Sequence, residues 1–226
     1  MKLKRYWFMA MTAVLLLVNG SKSEASILLN EIFADPPSGL SGDANGDGVR
    51  SGADDEFIEL LNFGEGSVDL TGWSISDSVS IRHIFPSDTI LNPYSFLVVF
   101  GGGSPEITGV NWQIASSGAL GLNNDGDSVT LFDTGAQLVD QVAYGGIGNH
   151  DQSFTLFPDG EGPGFVLHSA LEQTQGALFS PGTSVDGQLL LAKLEQDEPL
   201  GNPVVPEFPT LIYIALGCGS FLFKKL

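Results

Sequence analysis

From Ser26 onward, short apolar segments are cut off at close intervals by residues that turn the chain, and this punctuation constrains the fold more than any other feature. Gly64-Glu65-Gly66, Asn92-Pro93, Gly101 to Gly103 and Asp133-Thr134-Gly135 each interrupt the chain where a long helix would need to continue. Glycine costs a helix interior about 1 kcal/mol and proline about 3 kcal/mol. With 29 glycines and 12 prolines in 226 residues, the sequence favours many short strands. Candidates are Ser26 to Phe33, Ser67 to Leu70, Trp73 to Asp77, Ile81 to Phe85, Ser95 to Phe100, Ser128 to Phe132 and Gln137 to Tyr144. Strands at this spacing predict an all-β sandwich.

Two stretches resist this reading. In Glu56 to Asn62, Phe57, Leu60 and Leu61 fit helical spacing, whereas Ile58, Leu60 and Asn62 fit alternation only partly. Residues 151–200 are less regular; they either wrap the sandwich edge or add a strand through Gly164 to Leu167. The predicted organisation is therefore a sandwich over 26–150, an extension over 151–200 packed on or beside it, and a distinct tail over 201–226.

The N-terminus carries a processing signal. Lys2, Lys4 and Arg5 precede an apolar run from Tyr6 to Val18, and Ser23 and Ala25 place small residues before a cut after Ala25. Residues 1–25 are thus predicted to be a signal peptide, the other reading being an uncleaved anchor. Its removal leaves five basic and 26 acidic side chains, a net charge of −21. Nucleic acid is a poor partner for such a surface, because phosphate binding relies on Lys and Arg. The single cysteine, Cys218, lies in the C-terminal apolar run, so the exported part forms no internal disulfide.

One loop draws particular notice. Asp43, Asn45, Asp47, Val49, Ser51 and Asp54 occupy positions 1, 3, 5, 7, 9 and 12 of an EF-hand-type calcium loop, with Gly48 at position 6. Side-chain oxygens come from all but Val49, which would offer its main-chain carbonyl. Asp54 replaces the usual bidentate Glu, resembling the dockerin version of the loop, and Asp55 is placed to stand in or assist. The expected cofactor is one structural Ca2+; the competing reading is a solvated Asp/Gly turn. Asn123-Asn124-Asp125-Gly126-Asp127 reads as a β-turn.

No catalytic pattern accompanies these features. His83, His150 and His168 are far apart in sequence, and there is no G-x-S-x-G, H-E-x-x-H or phosphate-binding loop. His83 is expected to be a packed or surface imidazole within a strand, and His150-Asp151 has no nucleophile motif beside it.

Taken in order, LLNEIFADP (28–36), DDEFIELLN (54–62), VDLTGWSISD (68–77), FLVVFGG (96–102), LGLNNDGDSVTLFDTGAQLVDQVAYG (120–145) and SPGT (180–183) resemble the lamin tail domain, an immunoglobulin-like module that also occurs in exported prokaryotic proteins. The resemblance implies an immunoglobulin-like β-sandwich in which 56–62 is a strand. Phe57, Leu60, Leu70, Trp73, Ile75, Val98, Val129, Leu131, Val139 and Val142 are the expected filling between two sheets.

The chain ends with Pro206-Glu207-Phe208-Pro209, an apolar stretch from Thr210 to Phe223, and Lys224-Lys225. This resembles the PEP-CTERM class of sorting tails, which implies an exosortase-type processing enzyme; a permanent membrane helix is the other reading. The expected function is an exported cell-surface or matrix module for adhesion or assembly, stabilised by calcium and sorted through its tail. Its partners would be proteins or glycans, and it is not expected to be an enzyme. The alternatives are a calcium-dependent secreted hydrolase using the Asp43–Asp55 loop, and a carbohydrate-binding module using Trp112 or Tyr144.

Overall fold

The structure, a computed structural model, describes residues 27–190. The predicted signal peptide and sorting tail lie outside the described residues. Among the described residues, no helix is long and apolar enough to cross a membrane.

Twelve strands form the described part. They are β1 (Ile27–Phe33), β2 (Phe57–Asn62), β3 (Val68–Asp69), β4 (Ser74–Ser76), β5 (Ile81–Ile84), β6 (Ile90–Leu91), β7 (Ser95–Phe100), β8 (Trp112–Ile114), β9 (Asp127–Phe132), β10 (Leu138–Tyr144), β11 (Phe154–Leu156) and β12 (Phe165–Leu167). One sheet has the order β12-β11-β1-β2-β7-β8 and a second the order β10-β9-β4-β5; β3 and β6 make a small ribbon. Pairing is antiparallel except between β7 and β8. Residues 56–62 thus contain a strand, as the resemblance implied, and of the two readings left open for 151–200 the added strand is present as Phe165–Leu167.

The two sheets share one core. Ile32, Ile58, Leu60 and Val99 of the larger sheet meet Ile75, Val129, Leu131 and Val142 of the smaller. Leu70 joins them, with Trp73 and Val139 partly buried against the cluster. Phe57 and Val98 depart from expectation: they pack with Phe33 and Phe100 in a separate cluster. Alternation explains this. Ile58 and Val99 face the second sheet, so Phe57 and Val98 must face the other way.

That outer face is covered by the extension. Phe179 packs against Phe33 with ring centroids 5.0 Å apart, and Leu190 joins Leu61 and Phe96. Because β11 pairs with β1 and β12 with β11, the extension also lengthens the sheet itself. The larger sheet is buried on both faces in its middle, and every residue of β2 is buried as a result.

Gly182 sits where this cover is tightest. Its φ is 82°, and a Cβ there would lie 1.5 Å from Val110 Cγ1. Left-handed backbone costs a residue with a Cβ about 1–2 kcal/mol, and overpacking adds about 1–3 kcal/mol. Gly182→Ala is therefore expected to destabilise the chain by about 2–5 kcal/mol in denaturant unfolding. Gly164→Ala, which meets nothing within 4 Å, should leave stability nearly unchanged.

Candidate functional site

The loop between β1 and β2 folds through its own side chains. Asp43 Oδ2 accepts from the Gly48 N–H at 2.9 Å, Asn45 Oδ1 from Asp47 N–H at 3.0 Å, and Asp47 Oδ1 from Val49 N–H at 2.9 Å. Gly46 and Gly48 both take positive φ, 72° and 83°, where the chain winds back on itself. The loop is stapled to the segment after β7. Asp47 Oδ2 accepts from Ser104 N–H at 3.0 Å, the Asn45 carbonyl accepts from Glu106 N–H at 2.9 Å, and Asn45 Nδ2 donates to the Gly102 carbonyl. Gly103 permits this approach, since a Cβ there would lie 2.4 Å from Asn45 Nδ2.

The structure brings Asp43, Asn45 and Asp47 into one winding, and Ser51 joins through the turn that ends at Asp55. Ser51 Oγ accepts from Asp54 N–H at 3.2 Å, and Asp55 N–H donates to the Ser51 carbonyl at 3.2 Å. Asp55 is fully buried; its two oxygens accept from Asn45 N–H at 3.2 Å and Ser51 N–H at 2.7 Å. Burial, helped by the nearby Asp43 charge, pushes its carboxyl above the usual range. Asp47 moves the other way, held down by the Ser104 and Val49 N–H groups.

Asp43 Oδ1 is buried with no hydrogen-bond partner. Arg50, the one basic residue in the loop, turns away and donates to the Pro36 and Pro37 carbonyls. A hard cation fits such a donor set, because each carboxylate oxygen has a second lone pair beyond the one an N–H occupies. Among the described residues, no three His, Cys, Asp or Glu side chains gather to hold a metal by themselves. Three of the six donors predicted here are instead an amide, a main-chain carbonyl and a hydroxyl.

A second polar cluster, not anticipated from sequence, lies on the outer face of the larger sheet. Glu31 and Glu59 are cross-strand partners, and a register shift between Leu29 and Glu31 makes Asn30 the extra residue of a bulge. The bulged Asn30 Nδ2 donates to both Glu59 Oε1 and Asp159 Oδ1, each at 3.0 Å. Glu59 Oε2 accepts from Gly182 N–H at 2.6 Å. Glu31 accepts from Ser153 Oγ, from Ser180 N–H at 3.0 Å and from Ser180 Oγ at 2.7 Å. His168 completes the chain: Nδ1–H donates to the Ala177 carbonyl at 2.9 Å, and Nε2 meets Ser180 Oγ at 3.0 Å. All these side chains are buried, and the Glu–Ser–His contact lies between the sheet and the extension.

The remaining candidates are accounted for individually. His83 is buried; its Nδ1 accepts from Ser116 N–H, so Nε2 donates to Gln113 Oε1 at 2.8 Å, and burial holds its pKa down. His150 is exposed. Tyr144 packs on Phe154 with centroids 4.9 Å apart, whereas Trp112 is 37% exposed on β8. Asn123 to Asp127 forms the expected turn, with Asp125 N–H on Asn123 Oδ1 and Asn123 N–H on Asp127 Oδ2.

Glu59 and Glu31 make stability pH-dependent. Burial raises both carboxyls above the ordinary 4.5, Glu59 further because Glu31 and Asp159 lie beside it. Above pH 4.5 the folded chain holds protons there that the unfolded chain releases, so stability falls as pH rises toward the folded pKa values. In chelator, the melting temperature is expected to decline from pH 5 to 7.5. Glu59→Gln, whatever its absolute stability, should show the shallower slope; an equal or steeper one would contradict this assignment.

Among curated proteins, none matches the chain. The sequence model of the family described as Lamin Tail Domain matches residues 20–146, more than half of the 226. That range runs through β1 to β10 and includes the Asp43–Asp55 loop, Glu31 and Glu59, while β11, β12 and the Ser180–Gly182 contact follow it. On this match, the chain belongs to the lamin tail domain family.

Proposed function

We propose that the chain is an exported cell-surface or matrix module for adhesion or assembly, stabilised by calcium and sorted through its C-terminal tail. The observation that carries the calcium reading is Asp43 Oδ1, a buried oxygen left without a partner in a loop with EF-hand spacing. Asp43, Asn45, Asp47, the Val49 carbonyl and Ser51 would hold the ion, with an acid from the Asp54-Asp55 pair. The carboxylates are already committed to main-chain N–H groups, which favours a structural ion over a hydrolytic one. Export is supported by the charged and apolar N-terminus, and sorting by Pro206 to Pro209 with the apolar and basic residues that follow. Exosortase-type processing and a transient hold on the membrane go with that tail. A net charge of −18 over the whole chain disfavours nucleic acid as a partner.

A glycan is the partner that a specific observation favours. A cleft of about 440 Å3 is lined in part by Asn111, Trp112, Gln113, Asp88 and Thr89, which bring one indole together with amide, hydroxyl and carboxylate groups, and otherwise by mostly apolar side chains such as Ile90 and Val110. Its floor is fixed, since Gln113 Nε2 donates to Thr89 Oγ1 at 3.1 Å and Thr89 Oγ1 to the Pro86 carbonyl at 2.8 Å. Small-molecule sites span roughly 300–1,000 Å3 and combine apolar walls with a few placed polar groups.

Two measurements test these readings. Binding to the folded state alone stabilises by about 2.7 kcal/mol at 100 times the dissociation constant, which is a rise of several degrees in melting temperature. The full chain in detergent should melt higher in calcium than in chelator, and an Asp43→Ala, Asp47→Ala double variant should not respond. Equal melting of the parent chain in both buffers would reduce the loop to a solvated turn. On an array of neutral and acidic glycans, the parent chain should retain signals that Trp112→Ala loses; a blank array would remove the glycan reading.

A further inference from the structure

We propose that the cleft beside Trp112 takes an uncharged sugar, with the Asp88 carboxylate accepting hydrogen bonds from its hydroxyl groups. This rests on the glycan reading above and names the class of glycan.

The hydrogen-bonding groups left free at the cleft set that class. Gln113 is occupied at both ends of its amide: Oε1 accepts from His83 Nε2–H at 2.8 Å, and Nε2 donates to Thr89 Oγ1 at 3.1 Å. Thr89 in turn gives its hydroxyl proton to the Pro86 carbonyl. The rim differs from this floor. Asp88 is exposed; its N–H donates to Thr71 Oγ1 at 3.0 Å, but its carboxylate has no partner among the described residues. The Asn111 side chain, also exposed, donates from Nδ2 to the Phe96 carbonyl and keeps Oδ1 open. Both free groups are acceptors, so the ligand must bring donors. Sugar hydroxyls are donors, and two on adjacent carbons can serve both oxygens of one carboxylate. Such bonds are roughly twice as strong as those between neutral groups. Trp112 and Ile90, both exposed at the cleft, offer apolar surface to the C–H face of a sugar ring.

Charge gives an independent argument against acidic glycans. No Lys, Arg or His lines the cleft. Arg50 and Arg82 are the only Lys or Arg residues between 27 and 190, and both are committed, Arg50 to the Pro36 and Pro37 carbonyls and Arg82 to Asp77. His83, bonded to Gln113, is buried, and burial holds its pKa down. A uronate or sulfate beside Asp88 would meet a like charge and no cation. Donors spread around a sugar ring serve Asp88, Asn111 and the exposed Ser87 together, which the single charge of a protonated amine does not.

The test is an array of neutral, amino-sugar, uronate-bearing and sulfated oligosaccharides, probed with the full chain in detergent and with its Asp88→Asn variant. The φ of 64° at Asp88 lies in the left-handed region, which asparagine also adopts, so the variant is expected to melt with the parent. Signals are expected on neutral glycans and unchanged by added salt. They should be about tenfold weaker for Asp88→Asn, where a neutral acceptor replaces a charged one. Signals on acidic or amino sugars that equal or exceed the neutral ones would overturn the assignment. So would parent-like signals from Asp88→Asn. A parent chain that binds no glycan would instead remove the glycan reading itself, so the two failures are distinguishable.

Discussion

The burial of Glu31 and Glu59 on neighbouring strands is the constraint around which the rest of the chain is arranged. Carboxyl groups placed under cover cost about 1–3 kcal/mol for each oxygen left unmet. Strands cannot meet them, because β-ladder N–H groups lie in the plane of the sheet and these side chains stand perpendicular to it. The donors must therefore come from another layer. The extension supplies Ser153, the Ser180 hydroxyl and N–H and the Gly182 N–H, and the bulged Asn30 supplies the rest. Around this polar belt, Phe33, Phe57, Val98 and Phe100 on one side and Leu61 and Phe96 on the other seal the interface. The carboxyl groups fix the register of the cover and the apolar clusters provide most of its adhesion.

The Asp43–Asp55 loop follows the same logic on a smaller scale. Its carboxylates are met by main-chain N–H groups of the loop itself and of the segment following β7, leaving one oxygen of Asp43 over. Because Ser104 and Glu106 are bonded to this loop, an ion held there would stiffen the path from β7 to β8, on which Trp112 sits. A calcium site and a glycan cleft would thus share a support. The strongly acidic composition acquires a structural meaning here: with so few basic residues, the chain satisfies its acids by main-chain hydrogen bonds.

Strands with clear turn residues on either side were legible in sequence, and β1, β7, β9 and β10 fall within a residue or so of their expected bounds. β2 was ambiguous for a physical reason: with both faces covered, Phe57 to Leu61 has no polar alternation to read. β6, β8 and β11 escaped notice because two or three residues carry no period, and their pairing depends on distant partners. The calcium-type spacing was visible because its information is local. The Glu31–Ser180 bond spans 149 positions, and nothing local marks either residue. The SPGT segment was noted through its resemblance and its turn-forming residues; Gly182 in it is required by the φ of 82° and the proximity of Val110.

The bonds from Glu31 and Glu59 to Ser180 and Gly182 tie the extension into the same cooperative unit as the two sheets. Native-state hydrogen exchange of the Ser180 and Gly182 amides, followed across denaturant concentrations, tests it most directly. Both amides are expected to open with the same free energy and denaturant dependence as the β1 and β2 amides, because freeing them strands Glu31 and Glu59. Exchange through a separate local opening, well below the global unfolding free energy and insensitive to denaturant, would contradict it.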